Sequence, residues 1–238
     1  MNNLYNSIVV SKVKNEKLLA ILIDPDKIDF KNLDFQIHKI NQSPATHILI
    51  GGSIVLNDVL DELILKIREK CNLPIILFPG NPSQISKYAD GILFLNLISG
   101  RNPDYLIGHQ VEAVPILRKT NLEIISTGYI LIESGSETAV EKVSKTKPID
   151  SKNIELAKNT ALAGEMLGNK LIYLEAGSGA KNPVPIEMIK DISENINIPL
   201  IVGGGIKDLN GIQNAYNAGA DMVVIGTAFE NNLDFFNF

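Results

Sequence analysis

Residues 198–228 read IPLIVGGGIKDLNGIQNAYNAGADMVVIGTA and contain two apolar runs, each followed directly by glycine. The first run, residues 198–202, ends in three consecutive glycines at positions 203–205, and the second, residues 222–225, ends in Gly226-Thr227. A near-continuous apolar run is typical of a strand that is buried on both faces of a parallel sheet. The stretch therefore predicts a strand–helix–strand unit with glycine-rich loops at the carboxyl ends of its strands.

The same unit recurs along the whole chain. Six further apolar runs are each followed by a loop rich in Gly, Pro, Ser or Asp, and segments with helical periodicity lie between them. Eight strand–helix units favour a closed (β/α)8 barrel, because an open doubly wound sheet usually has fewer strands. The six other runs cover residues 18–23, 47–50, 74–78, 91–97, 122–126 and 170–174, and predicted helices include residues 55–70, 153–167, 186–195 and 209–218.

The length of the chain fits one barrel of this kind. It has 238 residues, and a TIM barrel typically has about 250. No linker or low-complexity tract divides it, so we predict a single TIM-barrel domain over residues 1–238. Two units are irregular: residues 80–90 leave room only for a short helix, which Pro82 can start. Residues 133–167, by contrast, leave room for an extra segment before their helix.

Composition excludes several classes of function. There are 22 basic and 27 acidic residues, which give a net charge of −5. This argues against nucleic acid as the main ligand, because a basic surface normally supplies that affinity, and against membrane binding by bulk charge. Cys71 is the only cysteine, so an intrachain disulfide is excluded and a reducing cytoplasm is the expected compartment. The chain shows neither a secretory signal nor an apolar run of the roughly 20 residues that span a membrane.

Glycines are densest after the sixth, seventh and eighth predicted strands. The active site of a TIM barrel lies at the carboxyl ends of its strands, and the last two loops frequently hold a phosphate. Glycine lets backbone N–H groups approach an anion closely, and a following helix N-terminus adds partial positive charge. We interpret these loops as a phosphate site, although tight turns alone would also explain single glycines. The glycines are Gly177, Gly179, Gly203, Gly204, Gly205 and Gly226.

The sixth predicted strand ends in Tyr173-Leu174-Glu175. Side chains alternate along a strand, so Tyr173 and Glu175 share one face and Leu174 points the opposite way. A carboxylate beside a phosphate site would repel the phosphate. Glu175 is better explained as an acceptor for substrate hydroxyls and as a candidate general base. The alternative is a capping or salt-bridge role.

Two oxygen-bearing side chains follow the first two predicted strands. Asp24, in the loop Asp24-Pro25-Asp26-Lys27, is a candidate ligand for Mg²⁺, which takes one or two carboxylates and leaves its other positions to water and phosphate oxygens. The alternative for Asp24 is a helix cap and turn. Ser53 is either a second oxygen ligand or a helix N-cap, and taken alone the cap is the better reading.

Other common catalytic arrangements are absent from the sequence. The histidines His38, His47 and His109 do not have the spacing of metal ligands. His38 is expected on a helix surface and His47 at the start of a strand. No loop serine forms a recognised nucleophile elbow with a histidine partner. The three consecutive glycines do not form the G-x-G-x-x-G pattern of a dinucleotide site.

Taken together, these elements resemble the geranylgeranylglyceryl phosphate synthase family, which includes bacterial heptaprenylglyceryl phosphate synthases. Residues 173–179 resemble the Y-L-E-x-x-S-G element of that family. The resemblance covers nearly the whole chain and implies an α/β fold, a modified (β/α)8 TIM barrel with a reduced or replaced third helix. The other matching segments follow in the family's order at residues 23–27, 50–53, 100–108, 128–130, 203–208 and 224–228.

The resemblance implies a prenyltransferase. Such an enzyme joins the hydroxyl of sn-glycerol 1-phosphate to a polyprenyl diphosphate through an ether bond and releases pyrophosphate, with Mg²⁺ on the diphosphate. It implies that Asp24 and Ser53 bind Mg²⁺ and that Glu175 is catalytic. The implied glycerol phosphate site consists of Tyr173, Leu174, Glu175, Ala176, Gly177, Ser178, Gly179, Gly204, Gly205, Gly226 and Thr227.

One position departs from part of the family. Some bacterial members carry a phosphate-contacting lysine two residues before the metal aspartate, and this chain has Leu22 there. This points to the branch with archaeal-like members. We also expect Asp24 to lie across the barrel mouth from the last two loops. Candidates for an apolar groove that holds the prenyl tail are Phe94, Leu97, Tyr105, Tyr129 and Ile130.

Two other functions remain open from the residues alone. One is a different enzyme with a phosphate substrate on the same fold, an isomerase or lyase. The other is a non-catalytic barrel that binds a phosphorylated metabolite. The family also leads us to expect a homo-oligomer, and the lipidic tail leads us to expect transient contact with a membrane.

Overall fold

The computed structural model describes residues 4–52 and 59–236. Eight parallel strands form a closed barrel in chain order, and β8 pairs with β1. This confirms the predicted (β/α)8 barrel, whereas its extent as one domain over residues 1–238 stays a prediction. The strands are β1 Leu18–Ile23, β2 His47–Ile50, β3 Ile75–Leu77, β4 Gly91–Leu97, β5 Glu123–Leu131, β6 Leu171–Glu175, β7 Leu200–Gly203 and β8 Met222–Ile225.

Helices surround the barrel, and the first of them covers the end at which the strands begin. A 3₁₀ turn, Pro25–Lys27, follows β1, and a π-helical turn, Asp104–Gly108, leads into the helix after β4. In the described part of the chain, no helix is both long and apolar enough to cross a bilayer. The helices are α1 Leu4–Lys14, α2 Leu33–Gln42, α3 Leu60–Arg68, α4 His109–Leu117, α5 Ala139–Ser144, α6 Ile154–Met166, α7 Ile186–Ser193, α8 Leu209–Asn217 and α9 Thr227–Asn231.

The third unit has no helix. Residues 78–90 connect β3 to β4 through turns, and Pro82 starts no helix. The loop is tied to its neighbours instead: the Asp90 carboxylate accepts a hydrogen bond from the Ile75 N–H over 2.7 Å and pairs with Arg68. This confirms the replaced third helix. The extra segment predicted between residues 133 and 167 is α5.

The fifth strand is longer than the sequence predicts. The expected strand ended at Ser126 and was followed by a loop, but β5 continues to Leu131. Gly128 pairs with Asn96 of β4 and Ile172 of β6. A Cβ at Gly128 would lie 2.7 Å from the Asn169 side chain and 2.9 Å from that of Ile98. The prediction was wrong because this glycine permits close packing and does not form a turn.

The strand residues alternate between two apolar layers. One layer fills the barrel and includes Leu49, Leu93 and Tyr173, while the other packs between strands and helices and includes Ile21 and Leu174. Burial on both faces explains why the strands read as continuous apolar runs. The predicted alternation of Tyr173 and Leu174 is confirmed.

Helix α1 covers the amino-terminal end of the barrel. The carboxylate of Glu123, at the start of β5, accepts hydrogen bonds from the N–H groups of Leu4 and Tyr5. Lys12 pairs with Asp221 over 3.0 Å, and the Asp221 carboxylate also accepts a hydrogen bond from the Leu200 N–H. These contacts close the end of the barrel at which the strands begin. The open end is therefore the one at the carboxyl ends of the strands.

Candidate active site

A cavity of about 770 Å³ opens at the carboxyl ends of the strands. Most of the residues predicted for the site line it. Leu174 and Ala176 instead face the outer apolar layer, Gly177 contributes its backbone N–H to the site, and Ser53 lies outside the described residues. The predicted residues that line the cavity are Asp24, Tyr173, Glu175, Ser178, Gly179, Gly204, Gly205, Gly226 and Thr227.

Glu175 is a buried carboxylate in the wall of this cavity. Only 5% of the residue is exposed, and it accepts hydrogen bonds from the Gly177 N–H and from the hydroxyls of Tyr129 and Tyr173. Burial raises the pKa of Glu175 to about 7, against the lowering effect of these three hydrogen bonds. A carboxyl group with a pKa near neutrality suits proton transfer.

Three aromatic rings form the apolar floor beneath Glu175. Phe78 stacks on Tyr173 at 5.1 Å between ring centroids, and Tyr129 meets these two rings edge-on at 5.8 and 5.5 Å. Burial, followed by the charge of Glu175, raises the pKa of both tyrosines well above 10. Their hydroxyls therefore keep their protons and act as donors to the carboxylate.

Each loop is numbered by the strand that it follows, and loops six, seven and eight, after β6, β7 and β8, come together beside Glu175. Gly204 and Gly205 have φ angles of +79° and +71°, a conformation that glycine adopts easily. A Cβ at Gly204 would lie 2.5 Å from both the Glu175 carboxylate oxygen and the Gly177 nitrogen. The Ser178 and Thr227 hydroxyl oxygens are 3.2 Å apart and join loops six and eight. Backbone in this conformation, next to two hydroxyls, can cradle an anion.

The N-terminus of α8 already has a cap. The Asp208 carboxylate accepts a hydrogen bond from the Gly211 N–H over 2.7 Å. The partial positive charge of this helix is therefore offset by its own carboxylate. Loop seven offers its backbone groups and Lys207, whose ammonium donates to the Lys181 carbonyl over 2.9 Å.

Asp24 caps the turn after β1 and also faces the cavity. Its carboxylate accepts a hydrogen bond from the Asp26 N–H over 3.2 Å, and its side chain remains 21% exposed. A Cβ at Gly52 would lie 3.1 Å from the same carboxylate. Asp24 can therefore cap this turn and still present its carboxylate to a ligand in the cavity.

Asp24 lies beside loop eight and not across the mouth from it. The expected separation was wrong because closure of the barrel pairs β1 with β8. The Lys27 ammonium bridges this seam, 3.3 Å from the Asp24 carboxylate and 3.3 Å from that of Glu230 on α9. Loop one and loop eight thus form one continuous charged edge of the cavity.

The cavity extends into an apolar pocket beneath α4 and α5. Four of the five residues predicted for a groove line it, namely Phe94, Leu97, Tyr105 and Tyr129, whereas Ile130 lies in the outer apolar layer. Residues 78–82, from the segment that replaces the third helix, also line the cavity. Other apolar residues of its lining include Ile85, Ile92, Ala113, Val140 and Val143.

Sequence reasoning missed several residues of this site. The roles of Phe78 and Tyr129 around Glu175 are visible only after β3, β5 and β6 are placed in the closed barrel. Lys27 adjoins Asp24 in sequence, which was a usable signal. Glu230 follows Gly226 by one helical turn, but nothing local in the sequence connects it with loop one.

Known sequences identify the family. A sequence model of the PcrB family matches residues 11–236. The chain belongs to the PcrB family. A Flavobacterium johnsoniae protein named geranylgeranylglyceryl phosphate synthase is 65% identical over 237 residues, which cover 100% of this chain and 98% of that protein. A protein of the same name from Zunongwangia profunda is 52% identical over 231 residues, 97% of this chain and 98% of the relative.

Solved structures agree with this family assignment. The synthase of Thermoplasma acidophilum, crystallised in complex with its substrate sn-glycerol-1-phosphate, is similar with a TM-score of 0.93 and 31% identity, over 99% of this chain and 95% of that one. The Thermoplasma volcanium enzyme gives a TM-score of 0.90 and 36% identity, over 97% and 93%. The predictions of an enzyme of this family and of a modified TIM barrel are confirmed for this PcrB-family chain.

Proposed function

We propose that the protein joins sn-glycerol 1-phosphate to geranylgeranyl diphosphate through an ether bond and releases pyrophosphate. One observation carries this proposal: the buried carboxylate of Glu175 lies where glycine-rich loops meet an apolar pocket. A polar phosphate ester and a long hydrocarbon would reach the same carboxylate from two sides. The names of the relatives and the glycerol phosphate complex of the Thermoplasma acidophilum protein support the same reaction.

The glycerol phosphate would bind in loops six, seven and eight. Backbone N–H groups of Gly204 and Gly205 and the hydroxyls of Ser178 and Thr227 would hold its phosphate. Glu175 would accept a hydrogen bond from a glycerol hydroxyl. The proposed site also includes the end of β6 and the loop that follows it, together with Gly226. These further residues are Tyr173, Gly177 and Gly179, with Leu174 and Ala176 taking part through their backbone only, because their side chains face the outer apolar layer.

Glu175 would act as the general base. The glycerol hydroxyl oxygen forms the new bond to carbon 1 of the prenyl chain while the bond from that carbon to the diphosphate oxygen breaks. The hydroxyl proton passes to the Glu175 carboxylate, and the electron pair of the broken bond leaves with the diphosphate. Holding both reactants in line would supply much of the rate enhancement.

The diphosphate would lie at loop one. We propose that Asp24, together with Ser53, holds a Mg²⁺ ion there, and the donor set fits: a partly exposed carboxylate faces a cavity with room for water. Mg²⁺ commonly uses one or two carboxylates and takes its other ligands from water and phosphate oxygens. When bound, the ion would neutralise the leaving group. The prenyl tail would occupy the apolar pocket beneath α4.

Asparagine in place of Asp24 is expected to raise the Mg²⁺ concentration needed for half-maximal activity by roughly tenfold or more, because a neutral amide is a weaker ligand for a hard cation. A Mg²⁺ titration of initial rates would measure this. The exposed Asp29→Asn variant is the control and should match wild type. An unchanged Mg²⁺ dependence in Asp24→Asn would contradict the metal assignment.

The reaction itself is tested by a product assay. The purified protein is incubated with Mg²⁺, geranylgeranyl diphosphate and either enantiomer of glycerol phosphate, and products are separated by mass spectrometry. We expect the prenyl ether from sn-glycerol 1-phosphate only. No ether from either enantiomer, with longer prenyl donors also supplied, would instead favour an isomerase, a lyase or a binding protein on this fold.

Three broader expectations accompany the reaction. We propose a cytoplasmic location, assembly into a homo-oligomer and transient contact with a membrane, where the lipidic substrate and product reside. Exposed apolar side chains on and beside α4 support an interaction surface on that side. They are Ile107, Val111, Val114 and Ile116.

A further inference from the structure

Lys27 is held between two carboxylates at the seam where the barrel closes. Its ammonium lies 3.3 Å from Asp24 in its own loop and 3.3 Å from Glu230 on α9. The side chains of Asp24 and Glu230 are only 21% and 18% exposed, whereas that of Lys27 is 49% exposed. All three residues line the cavity. The ammonium at the tip of this long side chain is thus held by two carboxylates at the edge of the space where substrate would bind.

The lysines of the cavity fall into two groups. Among the described residues that line it, Lys181 and Lys207 lie in loops six and seven, next to the proposed glycerol phosphate site, and Lys27 lies in loop one. The reaction brings two phosphorylated groups into one cavity, and each needs positive charge. Lys27 is the lysine placed beside Asp24, where the diphosphate would bind.

We propose that Lys27 binds the diphosphate of the prenyl substrate and that Glu230 is the residue that positions it. This inference rests on the proposed function and assigns a residue to the leaving-group end of the same site. An ammonium group has three hydrogens to donate. With Asp24 serving a metal ion, Lys27 keeps Glu230 as its partner and has donors left for phosphate oxygens.

Lys27 carries a positive charge at neutral pH. Its side chain is 49% exposed, and the ammonium group of a solvent-accessible lysine keeps its proton well above neutrality. A charge-assisted hydrogen bond to phosphate is among the stronger polar interactions in proteins.

Glu230 restricts where this ammonium can go. Glu230 lies in the first turn of α9, and its N–H donates to the carbonyl of Gly226 over 2.9 Å. Free lysine side chains have many rotamers, and ordering one on binding costs free energy. By holding Lys27 before substrate arrives, Glu230 removes part of that cost. It also links the diphosphate end of the cavity to Gly226 and Thr227, at the glycerol phosphate end.

Calorimetric binding of inorganic pyrophosphate at a fixed Mg²⁺ concentration tests the proposal. The Lys27→Met variant should bind pyrophosphate roughly tenfold more weakly or worse, since a hydrogen bond to a charged group contributes about 1.5–3 kcal/mol. Lys27→Arg should recover most of the affinity. Affinity for sn-glycerol 1-phosphate should not change in either variant. Lys39→Met removes a lysine paired with Asp234 outside the cavity and should match wild type.

The role of Glu230 has its own readout. Glu230→Gln should weaken pyrophosphate binding a few-fold, and the same change in the Lys27→Met background should have no further effect. A purely structural ion pair would instead lower the stability of the variants and leave pyrophosphate affinity unchanged. Additive losses in the double variant, or a shifted Mg²⁺ titration in Glu230→Gln alone, would show that Glu230 acts independently of Lys27.

The outcomes separate this inference from the proposed function. Ether product from wild-type protein, with equal pyrophosphate affinity in wild type and Lys27→Met, would overturn the role of Lys27 and leave the reaction intact. Equal losses of pyrophosphate and glycerol phosphate affinity would also overturn it, because they indicate general damage to the site. Absence of product would reject the proposed function, while the pyrophosphate series would still test the cation.

Discussion

Turnover of the Glu175→Gln variant is expected to fall by roughly 10²–10⁴-fold, the usual contribution of a general base. Glutamine has nearly the same shape, and its carbonyl oxygen can still accept a hydrogen bond from the Gly177 N–H. Its NH2 group can donate to a tyrosine hydroxyl that turns to accept. Glutamine cannot take a proton from the attacking hydroxyl. Affinity for sn-glycerol 1-phosphate should therefore persist, and steady-state kinetics combined with calorimetry would separate these two effects.

The pH dependence provides a second signature of Glu175. Because its pKa is raised to about 7, turnover should increase with pH as the carboxyl group loses its proton, with a midpoint near 7. The folding stability that Glu175 contributes changes in the opposite direction and decreases as the pH rises. The folded protein holds this proton at pH values where the unfolded chain has released it, so folding stability contributed by Glu175 is full below about pH 4 and falls as the pH rises to 7.

The glutamine variant should lack that loss of stability. Above pH 8 it should be more stable than wild type by on the order of 3 kcal/mol, and at pH 4 the two should be similar. Urea unfolding at both pH values would measure the difference. The exposed Glu133→Gln variant is the control. A Glu175→Gln variant with full turnover, or with an unchanged pH profile, would remove Glu175 as the base.

The second large effect is expected from Gly204→Ala, which should raise the KM for glycerol 1-phosphate more than tenfold and also lower kcat. Alanine at φ +79° is strained by about 1–2 kcal/mol. Its Cβ would also lie 2.5 Å from the Glu175 carboxylate oxygen and the Gly177 nitrogen. Loop seven must shift away from loop six, which disturbs the base and the proposed anion site together.

Gly168 offers a matched control for this strain. It has a φ of +93°, and a Cβ placed there has no heavy atom within 4 Å. Gly168→Ala should therefore lower stability to a similar degree and leave the kinetics unchanged. If both variants lost stability but both retained wild-type KM values, the contact between loops six and seven would have no role in binding glycerol phosphate.

The strands could be predicted from sequence because burial on both faces leaves a clear signal. The expected bounds of β1, β2, β4 and β8 match the structure. β5 was predicted too short because the local sequence does not distinguish a glycine inside a strand from a glycine in a turn. Only the packing of Asn169 and Ile98 against that position distinguishes the two.

The site was predictable where its residues adjoin strand ends. Glu175 and the glycine loops belong to that group, and their chemistry follows from residue type and position. The seam between β1 and β8 was not predictable in this way. Asp24 and Glu230 are far apart in sequence, and only closure of the barrel brings both to Lys27. The Tyr129 hydroxyl on Glu175 depends in the same way on neighbouring strands.

Helix α1 has a consequence for the order of folding. Its two main anchors are Glu123, which lies 119 residues beyond Leu4, and Asp221, which lies 209 residues beyond Lys12. Contacts of such long sequence separation form late, because the intervening loop must close before they can stabilise anything. The first helix in the described chain is therefore expected to reach its native position after β5 and β8 have joined the barrel. During synthesis, α1 would lack these two contacts until Glu123 and then Asp221 have been made.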